Sequence, residues 1–359
     1  MPVSTRGGKG QGGQGPGGQG PGGQGQGGQG PASESNGSRA NRSRADGPGS
    51  NGSRATPVTP SLLRAWPLPS AGEDKYSRGA VMVIGGARAT PGAALLAGTA
   101  ALRAGAGRLT MAVAESVAMQ LAVALPEAGV TGLPETARGS VLGSGLEPIL
   151  SELGGADAVL IGPGLDDIDL TEELLRTLLD QDADGVAGRG LVSGDATIIL
   201  DAYALGCLPR LEDSLDPWRG RLILTPNPHE AEILLGRDLD ELEPAVASIA
   251  ARYQAVVSCQ GFVARPVGRQ GEADTPEGPD LWEITTGYGG LGTSGSGDVL
   301  AGAIAGLRAR GTSDAQAACW GSHLHAAAAD RLASRLGPLG FLARELADEL
   351  PALMVELAT

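Results

Sequence analysis

The residues with the clearest chemical potential lie in Gly292-Thr-Ser-Gly-Ser-Gly-Asp298, which runs into the small and apolar stretch Val299 to Leu307. Gly295 and Gly297 bracket Ser296, and the stretch that follows is of helix length and stops at Gly311, a C-terminal helix signal. A glycine turn feeding a helix leaves backbone N–H groups unpaired at the positive end of the helix dipole, an arrangement that binds anions. A carboxylate there would repel a phosphate that was only being bound. It has a use if Asp298 takes a proton from a substrate hydroxyl while the amides hold a phosphoryl group. Asp298 could instead be an ordinary helix N-cap. The turn by itself leaves both readings open.

Positioning such a turn takes a sheet, and the sequence supplies one. Ala80-Val-Met-Val-Ile84 is a continuous apolar run ending in Gly85-Gly86, as buried parallel strands do. Pro91 opens a helical stretch, Gly92 to about Gly107, and Arg108 to Val113 reads as the next strand. Further strands are expected at 156–161, running into Gly162-Pro-Gly164, and at 196–200, running into Asp201. Two more end in Thr225-Pro-Asn-Pro-His-Glu230 and in Gln260-Gly261. Ligands of open α/β sheets lie beyond the carboxyl ends of the strands, so Asp201, Glu230 and Asp298 are expected to converge on one edge. Gly268 to Asp280 reads as a mobile excursion, and helices are expected at 313–335 and 341–356. No Gly-x4-Gly-Lys-Ser/Thr motif occurs, and neither Gly85-Gly86 nor Gly162-Pro-Gly164 has full dinucleotide-fingerprint spacing, which disfavours P-loop and Rossmann chemistry.

Composition narrows the partners. Residues 1–60 hold 19 glycines, six basic residues and two acidic ones, with no aromatic residue. Such a segment buries too little apolar surface to fold, so the folded domain is placed at 61–359. The chain carries a formal net charge of −14, and the folded part is more acidic than the whole. That argues against nucleic acid as its partner. No apolar run is long enough to span a membrane, and a cytoplasmic protein is expected. Cys207, Cys259 and Cys319 suggest neither a disulfide framework nor a metal site, and His323 and His325, two apart on a helix, would face different ways.

Taken together, "VIGG…TPGAALLAGTAALRAGAG", "IGPGL", "LDAYAL", "LTPNPHE" and "TSGSGDVLAGAIAGL", spread from Lys75 to about Pro351, resemble the ADP- or ATP-dependent NAD(P)H-hydrate dehydratases of the ribokinase-like superfamily. The resemblance implies an α/β three-layer sandwich with a mostly parallel central sheet and helices on both faces. It implies repair of hydrated NADH and NADPH: the nucleotide phosphorylates the C6 hydroxyl of the S epimer, and phosphate then leaves. By the same resemblance Asp298 is the catalytic base and Gly295, Ser296 and Gly297 form the anion hole. Gly92, Ala93, Gly164 and Asn227 contact the hydrated dinucleotide. Gln260, Gly261, Phe262, Val263, Ala264 and Gly297 contact the adenine nucleotide. Asn227 and Glu230 have the spacing by which ribokinase-type kinases hold hydrated Mg2+. The glycines of 91–107 could equally serve close helix–sheet packing. A homo-oligomer is expected, with any epimerase as a separate protein, since nothing of domain size precedes residue 61.

Three departures from the family pattern stand out. Gln260 replaces a lysine, which loses a point charge for phosphate but keeps a donor. Tyr288 replaces an asparagine before the phosphate turn, and Asn227 replaces a histidine. The alternatives are a small-molecule kinase of the hydroxymethylpyrimidine or thiazole type, whose phosphate turn usually carries Cys where this chain has Asp298, and a nucleotide-binding module without activity.

Overall fold

The computed structural model describes residues 55–70, 72–183, 196–266, 280–287 and 289–358. Tyr288, the 268–280 excursion up to residue 279 and nearly all of the 1–60 tail lie outside these residues.

A single sheet organises the fold. Its ten described strands are β1 (Thr56–Val58), β2 (Ala80–Ile84), β3 (Arg108–Ala114), β4 (Gly129–Leu133), β5 (Ala158–Ile161), β6 (Thr197–Leu200), β7 (Leu222–Leu224), β8 (Ala255–Cys259), β9 (Phe262–Ala264) and β10 (Leu281–Ile284). Their order is β1-β10-β9-β8-β7-β6-β5-β2-β3-β4. Every pairing is parallel except the two made by β9, which is antiparallel to β8 and β10. The interior strands β2, β5, β6, β7 and β8 are buried along their whole length, which is why they read as unbroken apolar runs.

Alternate residues of each strand feed two cores. Val81, Val83, Leu160, Ile199 and Ile223 face one layer. There they pack with α2 (Pro91–Arg103), α9 (Ser296–Ala309), α10 (Asp314–Leu336) and α11 (Ala343–Ala358). Met82, Ile84, Ile161, Ile198 and Leu200 face the other, with α5 (Ile168–Ala183), α6 (Tyr203–Leu211), α7 (Pro228–Leu235) and α8 (Leu242–Tyr253). Leu121 of α3 (Glu115–Ala124) joins the first core and Leu153 of α4 (Leu150–Leu153) the second, which completes the expected three-layer α/β sandwich.

Within the first layer, α2 and α9 approach so closely that a Cβ on Gly302 or Gly306 would overlap the carbonyls of Ala97 and Ala101. This close approach fixes where α9 begins, and so where Asp298 sits. Gly98 likewise packs 2.9 Å from Leu109 and 3.0 Å from the Met111 sulfur, measured from the Cβ it lacks.

One boundary needs correction. The domain was expected to begin at 61, but Thr56–Val58 pairs in register with Trp282–Ile284, and Val58 is fully buried. Thr59 then caps α1 (Pro60–Ala65) by accepting from the Leu62 N–H. Three residues of the Gly/Arg-rich segment therefore complete the sheet edge, where an existing partner strand supplies the pairing that composition alone would not predict.

Candidate active site

The strand order reverses between β2 and β5: the chain runs outward from β2 through β3 and β4, and outward from β5 through β6, β7 and β8. That is the switch point at which open α/β sheets leave a crevice. Here the two loops are stitched together. Gly86 N–H donates to Pro163 O at 2.8 Å, Ala87 N–H donates to Gly164 O at 2.8 Å, and the Thr90 hydroxyl donates to the same oxygen at 2.8 Å. Gly164, with φ +76°, would overlap the Thr90 carbonyl if it carried a Cβ, which would also lie 3.1 Å from that of Ala93. Gly164 and Ala93, two of the expected dinucleotide contacts, are thus neighbours. Gly92, the third, is exposed, and an added Cβ would meet no protein atom within 4 Å. Packing explains Gly98, Gly302 and Gly306, and does not explain Gly92.

The phosphate turn lies against the same helix. Gly295, φ +86°, is the N-cap of α9, and a Cβ there would collide with Leu96 of α2, one turn beyond Gly92. Ser296 N–H turns back to Thr293 O at 3.2 Å, and Val299 N–H closes the first helical bond to Gly295 O. Among the described residues the amides of Gly295, Gly297 and Asp298 have no partner, so these three are the donors open to an anion. Of the expected anion-hole residues Gly295, Ser296 and Gly297, the first and last have open amides and Asp298 adds a third. The Ser296 amide is committed, and its hydroxyl is buried 2.9 Å from His325 Nε2. A Cβ at Gly297 would meet nothing within 4 Å.

Asp298 is not a cap. The N-cap is Gly295, and no side chain closes that end of the helix. Burial pushes the Asp298 carboxyl up to about 6, so it is an ionised but basic carboxylate at neutral pH. Asp201, at the end of β6, is buried and accepts from the Thr225 hydroxyl at 2.9 Å. Burial first, then the charges of Glu230 and Asp298, push it to about 7. The three acids do therefore converge at the carboxyl edge of the sheet.

Asn227 and Glu230 form a reciprocal capping box on α7. Glu230 N–H donates to Asn227 Oδ1 at 2.9 Å, and Asn227 N–H donates to Glu230 Oε2 at 2.9 Å. The Asn-x-x-Glu spacing expected for hydrated Mg2+ is first of all a helix start. It leaves Glu230 Oε1 uncommitted, and burial raises the Glu230 carboxyl. Among the described residues no group of three His, Cys, Asp or Glu side chains could hold a metal directly. The clustered charge of Asp201, Glu230 and Asp298 fits a divalent cation held through water, and Asn227 stands beside Glu230 as the cap of α7.

Gln260 and Gly261 are the two residues of a tight β8–β9 hairpin, with φ +43° and +92°. Positive φ at both positions is the geometry of a type I′ turn. Gln260 is exposed, and Gly261 and Phe262 are half-buried at the sheet edge. Val263 and Ala264 are fully buried in the two cores. Of the five residues expected to contact the nucleotide, Gln260 and Phe262 are the two whose side chains are accessible at this turn. His229 is exposed beside Glu232 on α7. The residue that spacing did not reveal is His325. Its bond to Ser296 joins positions 29 apart.

The family model described as NAD(P)H-hydrate dehydratase matches residues 81–352. The chain is 42% identical, over 85% of its length and 98% of the relative's, to an ADP-dependent (S)-NAD(P)H-hydrate dehydratase of Xanthomonas campestris. It is 36% identical to a bifunctional NAD(P)H-hydrate repair enzyme of Moorella thermoacetica, covering 54% of that protein, so it spans about half the length of that relative. A crystal structure of the Bacillus subtilis ADP/ATP-dependent NAD(P)H-hydrate dehydratase, co-crystallised with ATP and Mg2+, superposes with a TM-score of 0.64. It is 26% identical and matches 85% of this chain and 99% of its own. Matched by that family model over most of its length and by a relative at 42% identity, the chain belongs to the NAD(P)H-hydrate dehydratase family.

Proposed function

We propose that the protein is an ADP-dependent dehydratase acting on the S epimer of hydrated NADH and NADPH. The observation that carries this reading is a half-buried, basic carboxylate, Asp298, in the first turn of a helix with three open amides, whose N-cap Gly295 packs on Leu96, one turn beyond the open Gly92. A module that only bound phosphate would gain nothing from that carboxylate.

The hydrated nicotinamide lies over Gly92, Ala93 and Gly164, where glycine lets a ligand approach the backbone. Asp298 takes the proton of the ring C6 hydroxyl as its oxygen attacks the terminal phosphorus of ADP. The bond from that phosphorus to AMP breaks, and the amides of Gly295, Gly297 and Asp298 hold the transferring oxygens. In the second step the C6–O bond breaks and phosphate leaves. A proton is lost from the neighbouring ring carbon, which restores the double bond. Gln260, Gly261 and Phe262 border the adenine nucleotide, and Gln260 supplies an amide donor where a lysine would supply charge. Glu230 and Asp201 would hold Mg2+ through water; when bound it offsets the negative charge of the phosphates. An epimerase acting elsewhere would supply the S epimer from the R form.

The test is turnover of purified hydrated NADH with ADP, with ATP and without nucleotide. The expected result is recovery of NADH with one AMP and one phosphate formed per molecule. A stable phosphorylated product would make the protein a kinase, and no ADP consumption would reject the proposal outright.

A further inference from the structure

The mechanism above leaves the buried face of the phosphate turn unused, and that face is built as deliberately as the open one. Every polar group of Ser296 except its carbonyl points into the protein: the amide goes to Thr293 O at 3.2 Å and the hydroxyl to His325 Nε2 at 2.9 Å. Ser296 and His325 are 5% and 6% exposed, so no ligand replaces this contact. The helix that carries His325 also holds the start of the same segment. Asp330 of α10 accepts from the Thr286 hydroxyl at 2.6 Å and from the Gly287 N–H at 2.8 Å. Ser322, three residues before His325, meets Ser258 of β8 at 2.7 Å. One helix therefore ties the strand before the nucleotide hairpin, the entry of the phosphate segment and its exit.

We propose that His325 is a positioning residue for phosphoryl transfer: by holding the Ser296 hydroxyl inward it keeps the amides of Gly295, Gly297 and Asp298 aimed at the phosphoryl group. The inference rests on the dehydratase reading only in naming the α9 amides as the phosphoryl donors. His325 acts by geometry and not by charge, because burial pushes its imidazole down to about 4 and leaves it neutral. A serine at the first position of a helix could equally turn its hydroxyl to a phosphate. Here the imidazole removes that option, so the site depends on the direction of backbone donors. Misplacing reacting groups by about 1 Å can cost on the order of 100-fold in rate, so a modest tilt of this turn has a measurable effect.

The test compares Ser296→Ala, His325→Gln and the double variant. Each single substitution is expected to lower kcat about tenfold, with little change in KM for hydrated NADH and a melting temperature near that of the wild type. The double variant should be no worse than the singles, because both remove one interaction. ADP affinity, measured by calorimetry without turnover, should weaken in the same three proteins. Wild-type kcat and ADP affinity in Ser296→Ala would overturn the proposal, as would effects that multiply in the double variant. If His325→Gln does not fold, Ser296→Ala decides alone. Wild-type protein inactive on hydrated NADH would instead refute the reaction assigned above, and the ADP affinities would still decide the role of His325.

Discussion

The α2–α9 pair uses the same residue type for opposite purposes in its middle and at one end. In the packed middle, Gly302 and Gly306 are required because a Cβ would occupy the carbonyls of Ala97 and Ala101. At the open end, Gly92 and Gly297 face no protein atom within 4 Å of such a Cβ. The first pair sets the distance between helices, and the second leaves the backbone approachable. The packed middle determines the position of Asp298, while the open end determines what can reach it. The same glycine-rich sequence encodes both, and only the neighbours distinguish them.

The sharpest test of this contrast is Gly302→Leu. Forcing a branched side chain into the Ala97 carbonyl costs on the order of 3 kcal/mol or more, a large share of a typical domain's stability. We expect little folded protein, read by circular dichroism and melting. Gly92→Val should do the reverse: stability within about 1 kcal/mol, and a KM for hydrated NADH raised about tenfold or more by blocked access. A melting temperature lowered as far as by Gly302→Leu would place Gly92 among the packing glycines.

The acid edge offers a pH test. The Asp201 carboxyl is raised to about 7 by burial and by Glu230 and Asp298, above its unfolded value near 3.9. Its contribution to stability is therefore fully present below about 4 and is lost as pH rises through about 7. In metal-free buffer Asp201→Asn should melt a few degrees above the wild type at pH 8, and the gain should vanish toward pH 4. A gain that is independent of pH would remove the electrostatic cause. The smallest expected effect is that of Glu230→Gln, which keeps an oxygen for the Asn227 N–H. We expect it to raise the Mg2+ concentration for half-maximal rate several-fold without unfolding α7. An unchanged Mg2+ dependence would leave Glu230 as a cap alone.

Much of this is legible in the sequence. Ala80–Ile84 and Ala255–Cys259 read as strands because burial on both faces removes polar alternation, and Gly or Gln-Gly marks their ends. The turn at Gly295–Asp298 was legible because a left-handed N-cap demands glycine. Thr56–Val58 was not: a three-residue edge strand draws its stability from β10, more than 200 residues away, and its own composition resembles the tail. The Asn227–Glu230 pair carried a helix-start signal that the expected metal spacing obscured. Val263 and Ala264 alternate into opposite cores, which a hairpin fixes and a motif does not. His325 was out of reach because its partner is set by how α10 packs over α9, and two histidines at i and i+2 carry no such information.

Proton transfer to Asp298 is tested by Asp298→Asn assayed with hydrated NADH and ADP, with ADP binding measured on the same protein. The substitution keeps side-chain size, and no cap is lost because Gly295 closes the helix. We predict a turnover lower by about 10²- to 10⁴-fold, unchanged or tighter ADP binding, and a stability within about 1 kcal/mol of the wild type. Near-wild-type turnover in the Asn variant would remove Asp298 from the proton transfer.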